Sequence, residues 1–180
     1  ALTEKGEKLL ADAGWDQADA DVDFGVRKTK AEGCIESTIE TDRLADIDLL
    51  DLHGADFWED VAFACINCGT CTYLCPTCWC FDIQDEVFQK EGKRLRQWDS
   101  CMFPIFTVHT TGHNPRDTKT QRVRQRFMHK LKYFVDKYEQ GIMCVGCGRC
   151  VRHCPVNIDI RKVAGLMNRH GSDAASAVQA

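Results

Sequence analysis

Two short cysteine runs have a spacing that permits metal chemistry. The first reads Cys65-Ile66-Asn67-Cys68-Gly69-Thr70-Cys71-Thr72-Tyr73-Leu74-Cys75-Pro76. The second reads Cys144-Val145-Gly146-Cys147-Gly148-Arg149-Cys150-Val151-Arg152-His153-Cys154-Pro155. They form an internal repeat, and each fourth cysteine is followed by proline. With Cys34, Cys78, Cys80 and Cys101 they bring the total to 12 cysteines in 180 residues. A chain of this length can bury a core, so disulfides are not needed to replace one. Cysteine in such abundance, in a reducing compartment, means metal or redox chemistry rather than crosslinking.

Both runs fit C-x2-C-x2-C-x3-C-P, the spacing of bacterial ferredoxins that hold [4Fe–4S] clusters. A cubane presents four iron corners, so three thiolates must converge on it from one tight loop. Glycine after the second cysteine of each run relieves crowding where backbone amides approach the sulfides. Proline after the fourth fixes the exit of the chain. In two-cluster proteins of this type the fourth cysteine ligates the other cluster. This assigns Cys65, Cys68, Cys71 and Cys154 to one cube, and Cys144, Cys147, Cys150 and Cys75 to the other. Zinc sites need four ligands, usually as two separated pairs, and catalytic redox cysteines come as one isolated CxxC. Neither fits. Arg149 and Arg152, beside the second cube, are expected to raise its potential.

Cys34, Cys78, Cys80 and Cys101 remain, the number a third [4Fe–4S] cluster needs. Cys78 and Cys80 flank Trp79 just after the first run, Cys101 follows Ser100, and Cys34 lies far upstream. His109 or His113 is an alternative to Cys34, and a zinc or [2Fe–2S] site or plain buried cysteines are alternatives to the cluster. His53, His129, His153 and His170 are scattered, with no acid or nucleophile at useful spacing. There is no phosphate-binding loop, no dinucleotide glycine fingerprint and no Ser-His-Asp order. Substrate chemistry is therefore expected on another polypeptide, with this chain non-catalytic.

The net charge of −4 conceals a polarity. Residues 1–60 carry 17 acids and 6 bases, and residues 61–180 carry 10 acids and 17 bases. Aromatic and basic residues mix between Arg116 and Tyr138, but they fall on one amphipathic helix, so no nucleic-acid partner is expected. No apolar run is long enough to span a bilayer, and no secretory signal is recognisable at the start, which points to the cytoplasm. Residues 1–55 read as an acidic arm, helical only over Thr3 to Ala13 and extended around Asp19 to Asp23. A short helix capped by Asp56 leads into the first run. The interval 76–143 reads as a long helical insertion: a mixed segment from Asp85 to Trp98, a loop, then a helix from Thr118 to Glu139 ended by Gly141. In that helix Val123, Phe127, Leu131, Phe134 and Tyr138 form one apolar face. A short helix runs from Ile160 to Arg169, and residues 171–180 read as a flexible tail.

The runs together with Cys75 to Asp82, Arg96 to Cys101, Asn114-Pro115-Arg116 and Arg122 to Lys130 resemble an electron-transfer module. It is similar to the beta subunits of sulfhydrogenase-type hydrogenases and to the A subunit of anaerobic sulfite reductase, over residues 56 to 165. By size and cluster count the chain resembles the small iron–sulfur subunit of class II benzoyl-coenzyme A reductase. That resemblance implies three [4Fe–4S] clusters, a tungsten-pterin catalytic partner subunit and further electron-transfer subunits. A hydrogenase or sulfite reductase complex, and a free ferredoxin-type carrier, are the alternatives. A non-redox sensing protein is a third.

The expected fold is α+β, mostly α: a bacterial two-[4Fe–4S] ferredoxin-like core over residues 56–170, with the helical insertion and the acidic N-terminal arm. Three cubes require roughly 12 iron and 12 acid-labile sulfide per chain. Metal and sulfide analysis of anaerobically purified protein checks this, and zinc without sulfide would overturn it.

Overall fold

The computed structural model describes residues 3–14, 23–35 and 38–171. The chain divides into two compact units, Ala1–Thr38 and Ile39–Ala180. Among the described residues no helix is long and apolar enough to cross a membrane.

The first unit holds helices α1 (Glu4–Asp12) and α2 (Phe24–Glu32), neither of which buries a residue. The Thr3 hydroxyl accepts from the Gly6 amide at 3.2 Å, satisfying a free donor at the start of α1. Asp23 does the same for α2, accepting from Gly25 and Val26 at 2.8 and 3.2 Å. The second helix corrects the reading of this stretch as helical only in its first residues. Most of the run expected to be extended, residues 19–22, lies outside the described residues, as does the tail from 172.

The second unit begins at Ile39 rather than at 56, because residues 39–55 contribute to its core. Leu44, in a 3-10 turn over Asp42–Ala45, and Leu52, in α3 (Leu49–Gly54), are completely buried. Helix α4 (Phe57–Phe63) forms where expected, although Asp56 makes no side-chain capping bond. Its Trp58 is buried, donates from Nε1 to the Leu52 carbonyl at 2.7 Å, and stacks on Phe127 at 6.4 Å. Burial of each such side chain contributes about 1.5–3 kcal/mol, and the indole donor stays satisfied.

The interval 76–143 is not helical throughout. Phe81–Phe88 (β1) and Glu91–Trp98 (β2) form an antiparallel hairpin, closed at Phe88 and Glu91. Period-2 alternation of Phe81, Ile83 and Val87 with Asp82, Gln84 and Glu86 favours a strand. Asp85 and Arg94, directly paired across the hairpin, make a two-pronged ion pair at 2.7 and 2.8 Å.

The long helix then runs as α6 (Lys119–Met128), a π-helical turn (His129–Tyr133) and α7 (Phe134–Tyr138). Thr118 and Gln121 form a reciprocal capping box at its start. Glu139, at φ +51°, ends it two residues before Gly141. Val123, Phe127 and Leu131 face the core as expected, but Phe134 is half-buried and Tyr138 exposed. Short helices α5 (Thr70–Tyr73) and α8 (Arg149–Arg152) follow the third-cysteine loops and pack on each other. Helix α9 (Ile160–Arg169) closes the core with Val163, Ala164 and Met167, and its Asn168 ties back to Arg43 and Asp42.

Leu52→Ala is expected to destabilise the holoprotein by about 2–5 kcal/mol, whereas exposed Leu50→Ala changes stability by no more than about 0.5 kcal/mol. Urea unfolding at equal cluster content checks the contrast.

Candidate metal centres

Left-handed backbone shapes both cysteine loops alike. Asn67 and Gly69 in the first, and Gly146 and Gly148 in the second, have φ between +56° and +74°. Gly69 and Gly148 each sit at the N-cap of the short helix that carries the third cysteine. The reversal points successive amides inward, a concave arrangement suited to an anionic group. Gly69 is also a close approach: a Cβ there would lie 2.9 Å from the Phe103 ring, while one on Gly148 would be 3.5 Å from an Arg152 nitrogen. Amides reach the sulfurs directly, Asn67 to Cys65 at 3.4 Å and Ile158 to Cys154 at 3.2 Å.

Packing of α5 on α8 brings the two runs together. One cavity is lined by five cysteines, Cys65, Cys68 and Cys71 of the first run and Cys150 and Cys154 of the second, together with Val123 and Phe127 of the core. Cys154, from the second run, thus joins three cysteines of the first. Cys150 in turn feels the charges of Cys144, Cys147 and Cys75, the last from the first run. Burial pushes the Cys71 and Cys150 thiols up, and the Arg126 guanidinium works against it.

Of the remaining cysteines, Cys78, Cys80 and Cys101 line a second cavity of about 300 Å³. The hairpin accounts for their meeting: Cys80 precedes β1, Cys101 follows β2, and the Asp99 amide donates to the Cys80 carbonyl at 3.0 Å. Buried Ser100 fixes the return strand against the first loop, sharing a 2.7 Å bond with Thr72, whose hydroxyl also bonds the Gly69 carbonyl. Cys80 and Cys101 are hydrogen-bonded, and the bond from Cys101 is the main reason the Cys80 thiol falls to about 6 while Cys101 rises. A bond from Cys78 likewise lowers Cys75 to about 4 and raises Cys78. In each pair the neighbouring thiol favours the charged form of its partner, the form that binds iron. Cys34 belongs to the first unit, exposed, its thiol 3.3 Å from the Lys30 carbonyl. His109 and His113 stack edge to face and do not line the cavity.

Sequence reasoning missed the helix face over these sites. Arg126, His129, Lys130, Tyr133, Phe134, Lys137 and Tyr138 line the larger cavity, and Arg126 lines the smaller one too. Their i, i+3, i+4, i+7 recurrence was visible, but it read as an apolar stripe with solvated charges. Arg126 and Lys130 are instead buried, 5 and 3 % exposed. Arg126 Nε has no hydrogen-bond partner, an orphaned donor beside both cavities. Burial works to lower the Lys130 pKa, but the Cys78 and Cys75 sulfurs outweigh it and hold the pKa above its usual value. Arg149 and Arg152, expected to be the charges near a cube, are exposed. Soft donors at loops of inward-turned amides and a buried cation with an unmet donor fit an iron–sulfur cluster, which is anionic.

Residues 64–158 match the 4Fe-4S dicluster domain, just over half of the chain. The chain belongs to that family. The dicluster match begins immediately before Cys65 and ends just past Cys154, so it encloses the hairpin and the long helix as well as both runs. Among curated proteins, the sulfhydrogenase 2 subunit beta of Pyrococcus furiosus is 39% identical over 143 residues. That alignment takes in 78% of this chain and 40% of the relative, so the chain spans well under half of that protein's length. No solved structure matches the dicluster chain at a significant level.

Gly69→Ala is expected to lose cluster iron more readily than Gly148→Ala, because it adds the Phe103 clash to the strain of a left-handed residue. Iron release on mild chelation, timed for both variants, checks the order.

Proposed function

We propose that the chain is a non-catalytic electron-transfer subunit with three [4Fe–4S] clusters, relaying single electrons to or from a larger oxidoreductase subunit. The observation that carries this is the cavity in which Cys150 and Cys154 of the second run meet Cys65, Cys68 and Cys71 of the first. Cys144, Cys147, Cys150 and Cys75 hold the second cluster, supported by the charge Cys75 places on Cys150. Cys78, Cys80 and Cys101 hold the third, with Cys34 or a histidine as its last ligand. His129 lines that cavity and replaces His109 and His113 as the histidine candidate.

Bound clusters supply one-electron uptake and release at fixed points in the fold. The chain's own residues do the rest. Thiolates hold the irons, the Asn67 and Ile158 amides reach the sulfurs of Cys65 and Cys154, and the core beneath Cys65, Cys71, Cys144 and Cys150 keeps water away. Neither cavity is lined by an aspartate or a glutamate.

A hydrogenase-type catalytic partner is favoured by the 39% identity to a sulfhydrogenase beta subunit. The tungsten-pterin partner of a class II benzoyl-coenzyme A reductase rests on the proposal of three cluster sites. Anaerobic co-purification with metal analysis separates them: nickel in the partner supports the first, tungsten the second, and migration of the chain alone supports a free carrier.

Cross-ligation has its own test in alanine variants followed by electron paramagnetic resonance of the reduced protein. C154A and C68A are expected to remove the same signal, and C75A and C147A a different one, each with loss of roughly a third of the iron. If C154A behaves like C147A, each run holds its own cube and the crossed assignment is wrong.

A further inference from the structure

We propose that Arg126 and Lys130 are buried counter-charges that set the reduction potentials of the three sites, Arg126 acting on the first and second and Lys130 on the second and third. The inference rests on the three-cluster reading above.

Four cations of the long helix are buried: Arg122, Arg126, Lys130 and Lys132. Two of them have structural work. Arg122 donates to the Arg116 and Asp117 carbonyls at 2.9 and 2.6 Å. Lys132 donates to the Leu44 and Ala45 carbonyls and pairs with Asp136 at 2.8 Å. Arg126 and Lys130, one helical turn apart, have neither kind of partner. Among the described residues no carboxylate pairs with them. Arg126 lies over the Phe127 ring at 4.3 Å with its Nε unsatisfied, and Lys130 donates to the Thr77 hydroxyl at 2.9 Å while the Cys75 and Cys78 sulfurs hold its pKa up.

A buried cation without an anion is costly, so the fold must supply negative charge at these two points. The cysteine sites are where that charge lies. Arg126 lines both cavities, and in the smaller one its charge acts on Cys71 of the first set and Cys150 of the second. Lys130 stands between Cys75 of the second set and Cys78 of the third, and the Thr77 hydroxyl it holds is 3.3 Å from the Cys75 sulfur. Each electron delivered by a one-electron redox partner adds one negative charge to a site. A fixed cation in a medium of low dielectric favours that added charge and raises the potential. The second site faces both cations and is the one they couple.

Redox titration of the holoprotein, poised with dithionite and mediators and read by electron paramagnetic resonance, tests this. R126Q is expected to move two midpoints negative, and K130Q two, with a single midpoint common to both variants. Exposed R149Q moves them less, since solvent and salt screen its charge. Charge-retaining R126K and K130R hold close to the wild-type values. Loss of clusters in the glutamine variants that R126K and K130R prevent also supports the charge, whereas loss shared by all four variants overturns it. Unmoved midpoints at full iron content, or R149Q shifting as far as R126Q, overturn the inference and leave the three-cluster reading intact. Absence of iron and sulfide from the wild type defeats that reading instead.

Discussion

Holding sulfur anions against an apolar core is the constraint on which the second unit turns. Thiolates in a low-dielectric setting need compensation, and water is not at hand to give it. The fold answers with backbone amides turned inward by left-handed residues in each loop, and with cations carried on one long helix. Both devices depend on a rigid support. The loops sit on α5 and α8, which pack on each other, while the helix is anchored through Phe127 and Trp58 and through the bonds of Lys132 to the 3-10 turn.

The same helix therefore serves two faces. Val123, Phe127 and Leu131 belong to the core, and Arg126, His129 and Lys130 look onto the cysteine cavities. At the junction between α6 and α7 the backbone widens into a π turn that contains His129 and Lys130. Such turns are often found at functional sites, and here one stands against the three cysteines that the hairpin gathers.

The hairpin shows where sequence reading stops short. Its strands alternate apolar and polar residues, yet every strand residue but Leu95 is exposed, Trp98 included, so no buried face marks a register. A period-2 pattern without a core reads weakly against helical priors, which is why the segment reads as the mixed part of a helical insertion. The segment 39–55 was misjudged for a related reason. Leu44 and Leu52 are isolated among acids, and only their burial against Trp58 and the long helix shows that they are core. By contrast the helix from Thr118 was legible, because 3.6-residue periodicity is a local property, and α4 formed where expected without a bond from Asp56.

Sequence by itself determined the ligand chemistry: thiolate spacing is a local covalent constraint, and two C-x2-C-x2-C-x3-C-P runs suffice to place the chain among [4Fe–4S] dicluster proteins. It also determined which glycines the loops require. Tertiary structure alone decided what meets what. Cys101 reaches Cys78 and Cys80 because a hairpin returns it, and Cys154 reaches the first run because α8 packs on α5. The buried charges beside the sulfurs are Arg126 and Lys130, whereas Arg149 and Arg152 are exposed, Arg152 donating to the Cys147 carbonyl at 3.3 Å. Proximity in sequence left those two in solvent, and helix packing buried the others.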